Sequence, residues 1–213
     1  MSLVVAVDGP AAAGKGELTR RLAQHFNLAR LDTGLLYRAV GWAVLQAKGD
    51  PADEGAALDR AKALLAADLE NPDLRSEAAG GAASKVAAIP AVRAQLVDFQ
   101  RDFARNPPGG ASGAVLDGRD IGTVICPDAD AKLFLTARAE IRAERRLKEL
   151  QAKGVEAIGS AVLRDMMERD ARDAQRSVAP LEPAKDAFVL DTSDMDADAV
   201  FAAAVDFISR KVT

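Results

Sequence analysis

Val4-Val5-Ala6-Val7-Asp8-Gly9-Pro10-Ala11-Ala12-Ala13-Gly14-Lys15-Gly16-Glu17 decides how the chain is read. An apolar run suited to a buried strand enters a loop bounded by glycines, and a lysine opens the helix that follows. Glycines at both ends let backbone N–H groups converge on an anion. The helix N-terminus adds partial positive charge, and Lys15 reaches the terminal phosphates of a nucleotide. The spacing is that of GxxxxGK, but Gly16 stands where a Ser or Thr usually binds magnesium. That missing hydroxyl argues against the commonest GTPase and ATPase designs and for small-molecule kinases, where phosphates and water hold most of the metal. The alternative is a glycine-rich turn that binds nothing; the strand, both glycines and the lysine together weigh against it.

Further apolar runs occur at Leu28 to Leu31, Ala114 to Leu116, Lys132 to Leu135 and Phe188 to Leu190, separated by long helical patterns. They are continuous rather than alternating, which predicts strands covered on both faces and hence a parallel α/β sheet wrapped by helices. Ligands bind such sheets beyond the carboxyl ends of the strands. There lie the phosphate loop after Val7, Asp32 after Leu31, Asp117 after Leu116 and Asp191 after Leu190. Asp117 and Asp191 also suit strand-end caps, and Asp32 an N-cap for a helix near Gly34. Between Ala52 and Arg105 only Ala-rich helical sequence appears, with breaks expected at Asn71-Pro72 and Gly80-Gly81. Asn106-Pro107-Pro108-Gly109-Gly110 then returns the chain to the core.

At 213 residues the chain suits one catalytic body. Its net charge of −4 makes no general case for nucleic acid or acidic membranes. The lone Cys126 removes intramolecular disulfides and with them a structural zinc cluster; the lone His25, beside Phe26 in the first helix, reads as a helix-end residue, so triad and His-metal chemistries lose their usual parts. No apolar run approaches the ~20 residues of a membrane span, so a cytoplasmic location is expected.

Nineteen of the 28 basic residues are arginine, and eight of those lie between Arg138 and Arg176. Ser160 to Ser177 reads as one helix with Leu163, Met167, Ala171 and Ala174 along one stripe. Arg169, Arg172, Asp173 and Arg176 fall nearly opposite. Pairs at i,i+4 such as Asp165 with Arg169, Glu168 with Arg172 and Arg169 with Asp173 suit an ordinary solvated face. A phosphate loop with no other obvious cation for a second phosphate favours another use, since the guanidinium fork matches phosphate oxygens. A helical hairpin joined near Gly154 would then close as a lid.

Several segments together resemble the bacterial cytidylate kinases, within the P-loop nucleoside monophosphate kinases. They are Gly-Pro-Ala-Ala-Ala-Gly-Lys-Gly (9 to 16), Leu-Asp-Thr-Gly-Leu-Leu-Tyr-Arg (31 to 38) and Ala-Ser-Lys-Val-Ala-Ala-Ile-Pro-Ala-Val-Arg (83 to 93). Asp-Gly-Arg-Asp-Ile-Gly-Thr-Val (117 to 124), Glu-Arg-Asp-Ala-Arg-Asp-Ala-Gln-Arg-Ser-Val-Ala-Pro-Leu (168 to 181) and Asp-Ala-Phe-Val-Leu-Asp (186 to 191) complete the set. The resemblance implies a five-stranded parallel sheet in a single domain, 1–213, with a helical nucleotide-binding insertion at 50–105 and an arginine-rich lid at 150–177. It implies transfer of the ATP γ-phosphoryl group to CMP or dCMP with Mg2+, in pyrimidine nucleotide metabolism.

By the same resemblance, Gly9, Pro10, Ala11, Ala12, Ala13, Gly14, Lys15, Gly16 and Glu17 form the ATP site. Arg38, Arg119 and Arg176 hold the CMP phosphate, and Thr33 and Tyr37 line its pocket. Ser84, Arg93 and Asp120 read the cytosine edge, and Asp173 contacts the ribose. Arg169 and Arg172 serve the transferring group; Asp117 orients magnesium through water, with no direct protein ligand to the metal. The acceptor phosphate is already a nucleophile, so charge neutralisation and in-line positioning suffice and no general base is needed. Uracil inverts the edge that an acid at N4 and an arginine at N3 and O2 select.

Two features depart from the family pattern. Glu17 replaces the usual Thr, and is expected to turn to solvent or pair with Arg20 or Arg21. Glu70 to Glu77 is too short and too poor in β-formers for the small sheet that the family's insertion commonly carries. Another phosphate or hydroxyl acceptor is a second enzymatic reading. A nucleotide-switched RNA- or partner-binding protein is a third, opposed by the acidic balance and the lack of an Asn-Lys-x-Asp motif. A monomer with no nucleic-acid partner is expected.

Overall fold

The structure, a computed structural model, describes residues 2–212. The five expected strands form one sheet: β1 (Leu3–Asp8), β2 (Leu28–Asp32), β3 (Gly113–Gly118), β4 (Ala131–Thr136) and β5 (Phe188–Asp191). Their order is β2-β3-β1-β4-β5, and every pairing is parallel. The continuous apolar runs are explained by cover on both faces. Val5, Val7, Val115, Leu133 and Leu135 pack on one side with Leu18 and Leu22 of α1 (Lys15–Phe26) and Ala204 and Ile208 of α8 (Ala197–Val212). Ala6, Ala114 and Leu116 pack on the other with Ala104, Ile121 and Ile125.

Register sets the site. Val7 pairs with Asp117 across β1 and β3, and Asp117 pairs with Asp32 across β3 and β2, so two carboxylates end neighbouring strands side by side. The first helix stops at Asn27, whose left-handed φ of 54° returns its N–H to Ala23 and lets β2 begin at once.

Helices α2 (Gly34–Gln46), α3 (Glu54–Lys62), α4 (Glu77–Val86) and α5 (Pro90–Arg105) share a second core around Leu36, Val40, Val86, Val92 and Leu96. Between α3 and α4 lie two short 3-10 turns, Ala66–Glu70 and Pro72–Arg75, where the family's small sheet was not expected. The break at Asn71-Pro72 is there, with the Asn71 side chain accepting the Asp73 N–H. Gly80-Gly81 is no break: both glycines lie inside α4. A Cβ at Gly80 would sit 3.2 Å from the Arg38 guanidinium, so the glycine makes room for that side chain.

Helices α6 (Ala139–Ala152) and α7 (Gly159–Ala174) form a hairpin whose small core, Ala143, Leu150, Val162 and Met166, rests on Ala11 and Ala12 of the phosphate loop. Gly154, at φ 72°, turns the connection, and the hairpin begins before residue 150. The inward stripe of α7 differs from the expected one. Val162, Met166 and Asp173 are buried, while Met167 is 56% exposed and Ala171 and Ala174 face solvent. The helix is rotated so that its charged residues enter the protein. Among the described residues no helix is long and apolar enough to cross a membrane.

Candidate active site

The loop from Gly9 to Gly14 closes tightly over the end of β1. Gly9 takes φ 142°, and a Cβ there would lie 2.0 Å from the Leu135 carbonyl oxygen; Gly14, at φ 96°, leads into α1. Lys15 is buried, and its Nζ donates to the carbonyls of Gly9 (2.7 Å) and Pro10 (2.8 Å). Burial first, then the neighbouring Arg119, brings its pKa down to about 7. Glu17 is exposed and points away, paired with Arg20 at 2.6 Å; of the expected partners Arg20 takes it. The far side of the loop is held from outside. Arg142 donates to the Ala11 carbonyl at 3.3 Å and pairs with Asp170 at 2.7 Å, while the Thr192 hydroxyl donates to the Ala13 carbonyl at 3.2 Å.

Beyond β3, Asp117 accepts a bond from the Thr19 hydroxyl at 2.8 Å and lies 3.4 Å from Arg30, whose Nε bonds the same hydroxyl. Burial raises the Asp117 pKa, and Asp32 beside it raises it further. Thr33 does not cap α2 with its side chain; its hydroxyl donates to the Asp117 carbonyl at 2.8 Å. Asp191 behaves as a strand-end cap, accepting the Ser193 N–H and hydroxyl at 2.9 and 2.6 Å.

Three arginines, Arg119, Arg169 and Arg176, crowd one carboxylate, and Arg38 adds its charge beside Arg169. Asp173, 1% exposed, accepts from Arg119 Nε at 2.9 Å and from Arg176. Burial disfavours its charge, but Arg119, Arg176 and Arg169 outweigh that and hold its pKa low. Burial, then Arg119, pushes the Arg169 pKa down to about 9, and Arg38 and Arg176 also repel it. Burial likewise lowers Arg38 and Arg176. The Nε atoms of Arg169 and Arg176 are buried without a hydrogen-bond partner. Of the i,i+4 pairs set out for a solvated face, Arg169 and Asp173 attract each other but in the interior, and the closed ion pairs go elsewhere: Asp173 turns to Arg119 and Arg176, and Asp170 to Arg142. A positive cluster this dense, with one internal carboxylate, presents charge complementary to an anion.

Of the residues expected to read the base, Arg93 and Asp120 meet, while Ser84 is reached by Arg172 instead. Arg93, from α5, pairs with Asp120 in the interior and lies over the Tyr37 ring, 5.5 Å from its centroid. Arg172, exposed on α7, reaches Ser84 Oγ at 3.3 Å, and Arg146 of α6 pairs with Glu77 at the start of α4. Both contacts join the hairpin to the insertion. Arg38 donates to the carbonyls of Leu74 (2.7 Å) and Ser76 (3.1 Å). An apolar hollow of about 640 Å³, lined by residues that include Leu58, Leu65, Leu69 and Phe99, contains none of the residues predicted for the site.

Sequence reasoning missed Thr19, Arg30, Arg142 and Thr192, because their partners lie far along the chain. It also left Arg38 without its carbonyl partners, which belong to irregular turns.

The family model described as "Cytidylate kinase" matches residues 5–210. The chain is 62% identical to a cytidylate kinase of Paramagnetospirillum magneticum over 99% of this chain and 100% of that one. It is 57% identical to one of Rhodospirillum rubrum over 98% of each. Solved structures of a sugar kinase from Janibacter sp. (14% identity, TM-score 0.52, 98% and 95% covered) and a shikimate kinase from Bacteroides thetaiotaomicron (11%, 0.50, 100% and 99%) share the fold. A phosphate loop, an arginine cluster facing it and near-complete coverage at this identity agree: the chain belongs to the cytidylate kinase family.

Proposed function

We propose that the protein transfers the γ-phosphoryl group of ATP to CMP or dCMP, giving ADP and CDP or dCDP. The observation that carries this is the cluster of Arg119, Arg169 and Arg176 around Asp173, with Arg38 beside Arg169, electrostatically coupled to Lys15 through Arg119. Two phosphate-binding centres that feel each other's charge suit a reaction between two phosphates.

In this scheme the loop of residues 9–16, Lys15 among them, binds the ATP phosphates, with Glu17, expected in that site, turned away to Arg20; the phosphates draw the Lys15 ammonium into its charged form. Arg38, Arg119 and Arg176 bind the CMP phosphate, while Arg169 and Arg172 stabilise charge on the transferring group. Thr33 and Tyr37 line the acceptor pocket, Ser84, Arg93 and Asp120 read cytosine, and Asp173 contacts the ribose while neutralising its arginines. Magnesium fits the donors present, since Asp117 and Asp32 offer paired carboxylate oxygens and a cation relieves their repulsion. Asp117 would hold it through water; when bound, the metal neutralises phosphate charge.

Both substrate sites come from one chain, which supports a monomer. A net charge of −4 supports action on free nucleotides rather than nucleic acid, in a cytoplasmic pyrimidine pathway. A coupled ADP-release assay over a panel of nucleoside monophosphates tests the reading. CMP and dCMP are expected to be preferred; no activity with any acceptor refutes the kinase, and preference for UMP or AMP refutes the cytosine assignment.

Arg38→Ala is expected to weaken acceptor binding by about 1.5–3 kcal/mol through lost charge-assisted bonds, seen as a raised KM for CMP. An unchanged KM removes Arg38 from the phosphate site. Because Glu17 is turned outward against Arg20, Glu17→Thr should leave the KM for ATP within about twofold, as for a solvent-exposed charge. A large fall would show that the carboxylate opposes the nucleotide.

A further inference from the structure

Two parts of the quoted motifs have no place in that scheme: Asp8, ahead of the first loop glycine, and Ile121-Gly122, behind Arg119-Asp120. The structure joins them. Asp8 Oδ1 accepts the Ile121 N–H and Oδ2 the Gly122 N–H, each at 2.8 Å, and the residue is only 4% exposed.

These are the first two N–H groups of the π-helical turn Ile121–Ile125, which helical geometry leaves without partners inside the turn. The nearest side chain, Asp120, does not cap them, because it faces Arg93. Only a carboxylate presents two acceptors and no donor; an amide satisfies one N–H and sets its own N–H against the other. Position 122 lacks a side chain for a matching reason: a Cβ there would lie 3.2 Å from Lys132 Cδ and 3.5 Å from Asp8 Oδ2.

The anchor is set in the sheet: Asp8 is in register with Gly118 of β3 and with Phe134 of β4, and it precedes Gly9, where the Leu135 carbonyl leaves no room for a side chain. The carboxylate thus runs from the base of the donor loop to the turn carrying Arg119 and Asp120, 113 residues away along the chain.

We propose that Asp8 is a positioning residue for the acceptor nucleotide, tying the donor phosphate loop to the turn that presents Arg119 and Asp120. This rests on the reading of those two residues as CMP contacts. Asp8 touches no substrate; it sets where the acceptor's phosphate and base sit relative to the γ-phosphoryl group. A residue serving the fold alone would, when changed, impair both substrates together.

The test uses the full chain. Wild type is assayed first with CMP and UMP; if it phosphorylates neither, the functional reading fails, independently of Asp8. With an active wild type, Asp8→Asn is expected to raise the KM for CMP about tenfold or more, since one N–H of the turn loses its acceptor. The CMP-to-UMP ratio of kcat/KM should fall about tenfold as Asp120 loses its fixed place, while the KM for ATP stays within about twofold. Equal rises for CMP and ATP, or no change in either, overturn the proposal. Should Asp8→Asn not fold, amide exchange in the wild type decides. CMP at about 100 times its Kd should slow exchange of the Ile121 and Gly122 amides about a hundredfold, because CMP binds only the closed turn. Exchange indifferent to CMP overturns the proposal.

Discussion

Lys15→Met is expected to lower kcat/KM for ATP about a thousandfold, the loss typical when a preorganised donor at the transferring phosphates is removed. Methionine keeps the length and apolar stem but no charge, so the loss reports the ammonium alone. Stability should move the other way. Burial, then Arg119, holds the Lys15 pKa near 7, below the ordinary 10.5. Between these values the unfolded chain binds the extra proton, so stability rises with pH across the window, and below it the native state carries the full cost of a buried charge. The methionine variant escapes that cost, and its Tm at pH 7 should equal or exceed the wild type's. Activity within tenfold of wild type would take Lys15 out of the scheme.

Asp173→Asn is expected to cost about 3–5 kcal/mol of stability in the free protein, because Arg119 and Arg176 lose the carboxylate that compensates their buried charge. Arg169, already pushed down to about 9, loses the carboxylate that relieves it. The same change should make the variant depend on anions. Inorganic phosphate is predicted to raise its Tm more than that of the wild type, since phosphate oxygens occupy the role the carboxylate left. Urea melts with and without phosphate measure both effects. Wild-type stability together with an unchanged phosphate response would show that Asp173 is not the counter-charge of the cluster.

The sheet was legible because each strand is an unbroken apolar run, and strands buried on both faces leave that signature. Asp32, Asp117 and the phosphate loop followed from where those runs end. The inner face of α7 was not legible. A periodicity search looks for apolar residues facing inward, and it selected Leu163, Met167, Ala171 and Ala174; the structure instead buries Asp173 beside Val162 and Met166. Where a helix buries ion pairs, polarity no longer separates inside from outside. Gly80-Gly81 misled for a related reason, since glycine breaks helices in isolation but here clears space for Arg38. Thr19, Arg30 and Asp8 escaped because their partners lie 98, 87 and 113 residues away, beyond any local spacing rule.

The hairpin and the insertion meet through Arg146 with Glu77 and Arg172 with Ser84, and these contacts are polar. Water can replace each of these partners at little cost, so an opening there would break polar contacts that solvent restores. An oily seam would act as glue, and each cycle would then wait on its release. Salt concentration would then act as a throttle on any such opening, since ions that screen Arg146 from Glu77 weaken the contact. The strand pairing of the sheet, backbone to backbone under apolar cover, lies beyond the reach of such screening.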